Sequence, residues 1–245
     1  MRGYMSAIAY KHNIKSLPDP TDCKSVKMAI QGVANTEPYS TNSLKPIDKV
    51  LLHRMVGAIP FCTVDFYERK LIKALFLLTY YACLRAGEIV ESVKSSHTLH
   101  YSQLVHVKEG LGIKFLTYKH SRSGRNKDSV DMIPLYIVSR VSDSEHCPLM
   151  AMGEFTNIRG NKPGPVFIHK DSRPVQRHEL SRWLKCCIEL CETSPVNYNT
   201  HSFRIGRATQ LADEGFSDDI IRAAGRWKTN AFKKYIKRKA FIFPR

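Results

Sequence analysis

The sequence predicts a mainly helical protein that carries one small antiparallel β-sheet. Beyond residue 45, apolar residues recur at helical spacing in four segments: 47–58, 67–84, 177–191 and 201–214. Three short runs with β-strand character lie between the second and third of these segments, at 104–107, 112–118 and 130–135. An antiparallel sheet is the simplest arrangement that pairs them, and 166–169 is expected to add another short extended segment.

The first 45 residues are set apart from the rest of the chain. Residues 1–15 have helical spacing, and the LPDP sequence that follows them stops a helix. A second short helix is expected over 23–33, and the polar run 35–46 (NTEPYSTNSLKP) is typical of an exposed linker. The sequence therefore predicts a domain boundary after residue 45, with the larger domain over 46–245.

Capping residues indicate where several helices begin and end. The segment 67–84 is too apolar to face water on more than one side, which predicts the central helix of the core, and Gly87 is expected to break it. Thr200 is a suitable N-cap for the helix that follows it, because its hydroxyl can accept a hydrogen bond from a free backbone N–H. Ser217 and Thr229 are placed to cap two further helices.

The charge of the chain favours a polyanionic partner. Among 245 residues, 38 Lys and Arg stand against 22 Asp and Glu, a formal charge of +16. The segment 226–245 contains eight basic residues and no acidic one. Nucleic acid is the first candidate, and an unspecific basic surface is the alternative. No run approaches the ~18 apolar residues of a membrane span, and the N-terminus lacks the pattern of a secretory signal, so we expect an intracellular protein without a membrane partner.

The seven cysteines do not form a recognisable metal motif. Cys186, Cys187 and Cys191 crowd one helical segment, but paired CxxC spacing and a matching histidine set are missing. We interpret these three residues as reduced, buried thiols. A structural zinc site is the less favoured alternative.

Two basic motifs are suited to bind an anion. Arg85 lies in Leu-Arg-Ala-Gly-Glu-Ile, at the end of the central helix, where a guanidinium can reach phosphate oxygens. The alternative for Arg85 is an ordinary ion pair with Glu88, three residues on. His201 and Arg204 have a spacing that places both side chains on one helix face near the helix N-terminus, where phosphate binding is favoured. Their alternative is a solvated helix face.

Three further residues have functional groups that suit phosphate chemistry. Trp227 offers an indole N–H that can only donate a hydrogen bond, although such a residue usually belongs to the core. Tyr235 is surrounded in sequence by basic residues that favour the phenolate, the form in which a tyrosine is a nucleophile. Lys119 begins the basic turn KHSRSGRNK, for which a solvated charge run is the alternative.

The six residues together resemble the catalytic set of the tyrosine recombinases. Over residues 45–245, their order and approximate spacing, and the blocks LRAGEI, HSFRIGRATQLADEG and AAGRWKTNAFKKYI, are similar to the motifs of that family. The segment GRWKTNAFKKYI is similar to the corresponding motif of recombinases from eukaryotic mobile elements of the DIRS and Crypton types. Trp227 and Tyr235 lie one residue closer together than in many bacterial and phage members.

The resemblance is incomplete at the N-terminus. The segment YMSAIAYKH resembles only the last helix of the family's N-terminal core-binding domain. We therefore interpret residues 1–45 as a remnant of that domain plus a linker, and residues 46–245 as the catalytic domain. A fragment or a decayed copy of a recombinase would have this organisation.

The resemblance implies a DNA-cutting enzyme that needs no metal or cofactor. Tyr235 would form a 3′-phosphotyrosine, Arg85 and Arg204 would hold the phosphate, His201 and Trp227 would donate hydrogen bonds, and Lys119 would protonate the leaving oxygen. The partner would be double-stranded DNA in a tetrameric synapse, in the nucleus if the element is eukaryotic and otherwise in the cytoplasm. The alternatives are a DNA-binding protein that retains the fold without activity, and a basic RNA-binding protein.

Overall fold

The computed structural model describes residues 2–36, 44–91, 97–107, 110–115, 135–138, 143–191, 193–227 and 229–236. Two compact units divide the chain, Met1–Ser43 and Leu44–Arg245. No helix in these described ranges is long and apolar enough to cross a membrane.

In the first unit, the described residues form two helices, α1 (Arg2–Ile14) and α2 (Lys24–Thr36). Both lie where the sequence predicts helices, and α2 extends a few residues further than expected. A 3₁₀ turn, Pro20–Asp22, lies between them, and the Asp19 carboxylate accepts a hydrogen bond from the Thr21 backbone N–H. The greater part of the predicted linker, 37–43, lies outside the described residues.

The core of the second unit is built around α3 (Lys49–Cys62) and α4 (Phe66–Tyr81). Aspartates cap both helices, with Asp48 accepting from Leu51 N at 2.8 Å and Asp65 from Glu68 N at 2.7 Å. Helix α4 is buried almost all round, as its composition predicts. It packs against α3, α6 (Pro148–Arg159) and α8 (Ser202–Asp213), while α3 also packs against α7 (Arg177–Leu190).

Helix α4 ends earlier than predicted, before Gly87. Cys83 has a φ of +49°, and Leu84 N donates to Thr79 O while Cys83 N donates to Tyr80 O, both at 3.0 Å. These two bonds form a Schellman motif with a cysteine in the left-handed position that glycine usually occupies. The chain then continues into the short helix α5 (Ala86–Ile89). The prediction of a break at Gly87 is wrong because this turn already satisfies the last carbonyls of α4.

As far as the structure describes it, the sheet has three antiparallel strands in the order β1 (Leu104–Val107), β2 (Gly110–Ile113) and β3 (Leu135–Val138). Strand β1 coincides with its predicted run. The other two runs differ from the prediction, since β2 begins earlier than 112 and β3 extends beyond 135 to Val138; residues 116–134 lie outside the described ones. The segment 166–169 is not a strand of this sheet but forms an isolated bridge, Ile168 with Pro174.

Helix α8 lies unusually close to the chain segment that precedes α3. A Cβ on Gly206 would stand 1.7 Å from the carbonyl oxygen of Ile47, so only glycine fits there. Ile47 N also donates to Ser202 O at 3.1 Å. The N-cap of α8 is His201 and not Thr200, because Asn199 Oδ1 accepts from His201 N at 2.8 Å and thereby organises the preceding turn.

The C-terminal part adds α9 (Asp218–Ala224) and a 3₁₀ helix, Asn230–Lys234. Ser217 caps α9 and Thr229 caps the 3₁₀ helix, as predicted. A second apolar cluster joins these elements to α8; its buried members are Ala208, Leu211, Ala212, Ile221 and Phe232. The half-buried Trp227 and Tyr235 pack against this cluster.

The cysteines of α7 are free thiols. Cys187 and Cys191 are buried as predicted, whereas Cys186 is only half buried. The Sγ atoms of Cys187 and of Cys62 on α3 are 3.4 Å apart, and burial raises the pKa of the Cys62 thiol to about 12. These thiols are therefore protonated near neutral pH.

Candidate active site

Arg85 forms the ion pair with Glu88 and is still partly accessible. As N-cap of α5, its backbone N–H donates to Glu88 Oε2 at 2.9 Å, and its Nη1 donates to Glu88 Oε1 at 2.7 Å. The side chain of Arg85 is 22% exposed, whereas that of Glu88 is 3% exposed. The ordinary pairing and the anion-binding interpretation are thus compatible, because the carboxylate holds one edge of a guanidinium that reaches the surface.

Glu88 also binds a second arginine, Arg226, which is not among the residues predicted from the sequence. Arg226 Nη2 donates to Glu88 Oε2 at 2.6 Å. Burial opposes ionisation of Glu88, but the guanidiniums of Arg226 and Arg85 outweigh it and lower the pKa of the carboxyl. Two cations share one anion, and a net positive charge remains for a ligand.

Arg226 is held in an unusual backbone conformation. Its φ is +53°, which costs a non-glycine residue on the order of 1 kcal/mol. Its guanidinium lies 4.3 Å from the ring centroid of Phe115, and its Nη atoms approach the carbonyls of Ala82 and Cys83 at 3.4 Å. The GRW tripeptide is a weak sequence signal for Arg226, because its contact with Glu88 spans 138 positions of the chain.

Arg204 lies at the centre of the site and is 1% exposed. Its Nη1 donates to Cys83 O at 2.5 Å and its Nη2 to Gly225 O at 3.0 Å. Its Nε is buried and has no hydrogen-bond partner among the described residues. Burial lowers the pKa of Arg204, and the neighbouring Arg85 and Arg226 act in the same direction. The two carbonyls carry no net charge, so no direct hydrogen-bond partner neutralises the positive charge of this buried guanidinium.

The carbonyl of Cys83 links the arginines to the end of α4. Because the Schellman turn directs this carbonyl away from the helix ladder, it can accept hydrogen bonds from both Arg204 and Arg226. The negative end of the α4 dipole also favours cations here. Arg226 in turn shares Glu88 with Arg85. The three arginines therefore converge on one place, as a site for a single phosphate requires.

His201 lies beside the arginines as a neutral imidazole. Burial lowers its pKa to about 4, and the positive charges of Arg204 and Arg85 add to the effect. The imidazole is consequently neutral near pH 7 and can take up a proton. Its ring is 4.8 Å from the ring of Tyr235, centroid to centroid, in an edge-to-face arrangement.

Trp227 and Tyr235 are the aromatic residues of the site. The ring centroids of these two residues are 5.4 Å apart, and the Arg204 guanidinium lies 4.6 Å from the ring of Trp227. A Cβ on Gly225 would overlap the indole, at 1.8 Å from one of its carbons, so this glycine makes room for the ring. Thr209 Oγ1 donates to the backbone carbonyl of Tyr235 at 3.2 Å and ties it to α8.

The structure thus brings together five of the six predicted site residues: Arg85, His201, Arg204, Trp227 and Tyr235. Lys119 lies outside the described residues. Arg226, Glu88 and the Cys83 carbonyl also belong to the site, and no sequence motif indicates their place in it. The spacing between Arg85 and Glu88 indicates only the contact between those two residues.

Comparison with known proteins identifies the fold. No family profile and no curated protein matches the chain. Among solved structures, XerA recombinase is 14% identical with a TM-score of 0.57, over 96% of this chain and 69% of that one. XerH site-specific recombinase bound to its difH substrate is 11% identical with a TM-score of 0.58, over 79% of this chain. The Tn1549 transposon integrase in complex with transposon right end DNA is 15% identical with a TM-score of 0.54, over 95% of this chain and 79% of that one.

These similarities show that the chain has the mainly helical fold of the tyrosine recombinases, with its small antiparallel sheet. The aligned part amounts to half the length of the XerH chain.

Proposed function

We propose that this protein is a site-specific tyrosine recombinase that cuts and rejoins double-stranded DNA through a phosphotyrosine intermediate. The observation that carries the proposal is the convergence of three arginines, a neutral histidine and an indole beside Tyr235. A phosphodiester that is attacked by a phenol gathers negative charge on its non-bridging oxygens. Positively charged donors fixed in advance around that charge are the main source of rate enhancement in such a reaction.

In the cutting step, Tyr235 Oη attacks the scissile phosphorus, and the bond from phosphorus to the 5′-oxygen breaks. Arg85 and Arg204 bind the non-bridging oxygens, and Trp227 donates a further hydrogen bond. The tyrosine proton passes to His201, which is neutral in the free protein and gains basicity once the phosphate anion binds beside it. By the family resemblance, Lys119 supplies the proton that the departing 5′-oxygen takes up.

In the rejoining step, a 5′-hydroxyl of another strand attacks the phosphotyrosine and releases Tyr235. The phosphotyrosine bond replaces the phosphodiester bond, so no external energy source is consumed. The reaction exchanges strands between two duplexes, for which we propose a tetramer of the chain on DNA. The DNA present in the XerH and Tn1549 integrase structures supports a DNA partner.

The GRWKTNAFKKYI block further supports a mobile-element recombinase of the eukaryotic type, similar to the DIRS and Crypton elements. Such an enzyme would act in the nucleus. A second candidate function is DNA binding without catalysis. The buried position of Arg204, whose Nη atoms both donate to carbonyls, favours this alternative, because a phosphate must displace those bonds.

Covalent capture tests the proposal. The protein is incubated with a labelled duplex that carries the element's terminal sequence and a nick beside the scissile phosphate, and the products are separated on a denaturing gel. An active enzyme becomes trapped because the short 5′ fragment leaves and rejoining fails. We expect a shifted band with the natural protein and none with Tyr235→Phe, which removes one oxygen and leaves the ring packing intact.

Tyr198→Phe is the matched control, since Tyr198 is also half buried but lies outside the site. It should be captured like the natural protein. Capture that persists in Tyr235→Phe would identify another nucleophile. A natural protein that binds the duplex but is never captured would favour the non-catalytic alternative.

A further inference from the structure

A second group of chemically active side chains lies outside the candidate active site. His53 on α3 meets Asp143 and His146, which belong to the turn before α6. One ligand atom from each residue, two imidazole nitrogens and one carboxylate oxygen, lies within 4.8 Å of the others. The elements that hold this group are different from those that carry Arg85, Arg204 and Tyr235.

The Nε2 atom of His53 is the informative one. It is buried and has no hydrogen-bond partner among the described residues. Its nearest carboxylate oxygen, Asp143 Oδ2, is 3.6 Å away, too far for a hydrogen bond. A buried polar atom without a partner costs on the order of 1–3 kcal/mol, so proteins rarely leave one without a reason.

The separation of 3.6 Å fits two ligands of a shared metal ion. Zinc binds nitrogen and oxygen at about 2.0–2.2 Å in tetrahedral geometry, which places neighbouring ligand atoms roughly 3.3–3.5 Å apart. Asp143 Oδ1 is hydrogen-bonded to His146 Nδ1 at 2.9 Å, so the same carboxylate is already within reach of both histidines. An ion between the three groups would bind the lone pair of His53 Nε2, which has no hydrogen-bond partner among the described residues.

The present arrangement of the two rings shows what binding must change. The imidazoles of His53 and His146 stack with centroids 3.7 Å apart and planes 5° from parallel. An ion cannot lie in two parallel ring planes at once. Stacking of two rings is worth about 0.5–1.5 kcal/mol, less than a metal–ligand bond contributes, so one ring can turn about its χ2 torsion when an ion arrives. His146 lies on the turn before α6, and its Nδ1 bond to Asp143 would give way to a bond to the ion.

We propose that His53, Asp143 and His146 form a binding site for one divalent transition-metal ion of the zinc type. The ion would join α3 to the turn that starts α6, with water in its fourth position. Two imidazoles and one carboxylate suit Zn²⁺, Co²⁺ or Ni²⁺ better than Mg²⁺ or Ca²⁺, which prefer oxygen ligands. The site is separate from the phosphate chemistry proposed above and does not depend on it.

The test uses the full chain after chelator treatment, titrated with Co²⁺ as a spectroscopic probe and with Zn²⁺ by calorimetry. We expect one ion per chain, a Co²⁺ spectrum of nitrogen and oxygen ligands, and a higher midpoint of thermal unfolding with Zn²⁺. His53→Ala and His146→Ala should each weaken binding more than tenfold, because even outer-shell partners of a metal ligand are worth about 10- to 100-fold. His178→Ala, on the exposed face of α7, is the matched control and should bind like the natural protein.

Two results would overturn the proposal. One is binding that is unchanged in the His53 and His146 variants, or absent from the natural chain. The other is a Co²⁺ spectrum with thiolate charge-transfer bands, which would assign the ion to the cysteines of α3 and α7. Circular dichroism of each variant without metal shows whether the fold is retained, and Asp143→Asn, which keeps the side-chain volume, repeats the test if an alanine variant is unfolded.

Discussion

At the residue scale, the site depends on Glu88 as much as on the arginines around it. This carboxylate is nearly inaccessible and accepts hydrogen bonds from the backbone and side chain of Arg85 and from Arg226. Without it, two guanidiniums would face each other and Arg204 with no compensating anion nearby. Like charges in a poorly hydrated site repel strongly, so Glu88 allows the arginines to remain together in the absence of a bound anion.

We therefore expect Glu88→Gln to lower the free energy of unfolding by about 3 kcal/mol. This value is at the lower end of the range for breaking a buried ion pair, because Arg85 keeps part of its surface in water. Urea denaturation measures the effect. Glu189→Gln, at an exposed position of α7, is the control and should change stability by less than about 0.5 kcal/mol. Equal losses in both variants would contradict a special role for Glu88.

His201 makes a pH-dependent contribution to stability. Its pKa is about 4 in the folded protein and near 6.5 when the chain is unfolded. Between these values the unfolded chain binds a proton that the folded protein does not, so the free energy of unfolding rises with pH across this window. The contribution of His201 is lost as the pH falls from 6.5 towards 4.

His201→Gln should remove this pH dependence, which is at most about 3.5 kcal/mol at about 1.4 kcal/mol per unit of pKa and is smaller because solvent screens the partly exposed ring. The measurement is urea denaturation of both proteins at pH values spanning the window. Other groups, such as His53, titrate in both proteins and cancel in the difference. Parallel stability curves would mean that the pKa of His201 is not lowered.

At the element scale, close packing of helix α8 sets the position of the site. His201 and Arg204 lie on the first turn of α8, and Gly206 on the same helix contacts the backbone at Ile47. A side chain at position 206 would push α8 away from that segment. The positions of the imidazole and the guanidinium thus depend on a glycine that touches neither.

Gly206→Ala should destabilise the protein by about 1–3 kcal/mol, the usual cost of overpacking, because the obstacle is backbone and cannot move aside like a side chain. Gly153→Ala is the matched control, since no atom lies within 4 Å of the added Cβ on α6. It should stabilise the protein by about 0.5–1 kcal/mol through helix propensity. Thermal unfolding of both variants measures these opposite effects. If both variants were destabilised, the loss would not be specific to the contact between Gly206 and Ile47.

At the scale of the whole molecule, the charge of +16 would govern how the protein binds DNA under the proposed function. Lys and Arg side chains that contact phosphates release condensed counterions, so affinity depends on the salt concentration. If only four phosphates are neutralised, a fourfold rise in salt weakens binding roughly 100-fold. Fluorescence anisotropy with a labelled duplex at about 50 and about 200 mM salt measures this. An affinity that is insensitive to salt would contradict binding through the basic surface.

The sequence by itself determined the local structure and the residue types of the site. Helices α3, α4 and α7 follow the spacing of apolar residues, and Ser217 and Thr229 cap the elements that they were expected to cap. These features depend on neighbours within one or two turns, which a sequence displays directly. The strand boundaries were less accurate, since β pairing depends on partners remote in sequence.

Only the tertiary structure decided which groups surround the site residues. Cys83 and Arg226 both adopt a positive φ without being glycine, a conformation that the surrounding fold imposes and that their residue types do not indicate. Arg226 reaches Glu88 across 138 positions of the chain, and Arg204 reaches Cys83 across 121. Contacts at such separations arise from helix packing, so the shared carboxylate and the shared carbonyl could not be read from local patterns.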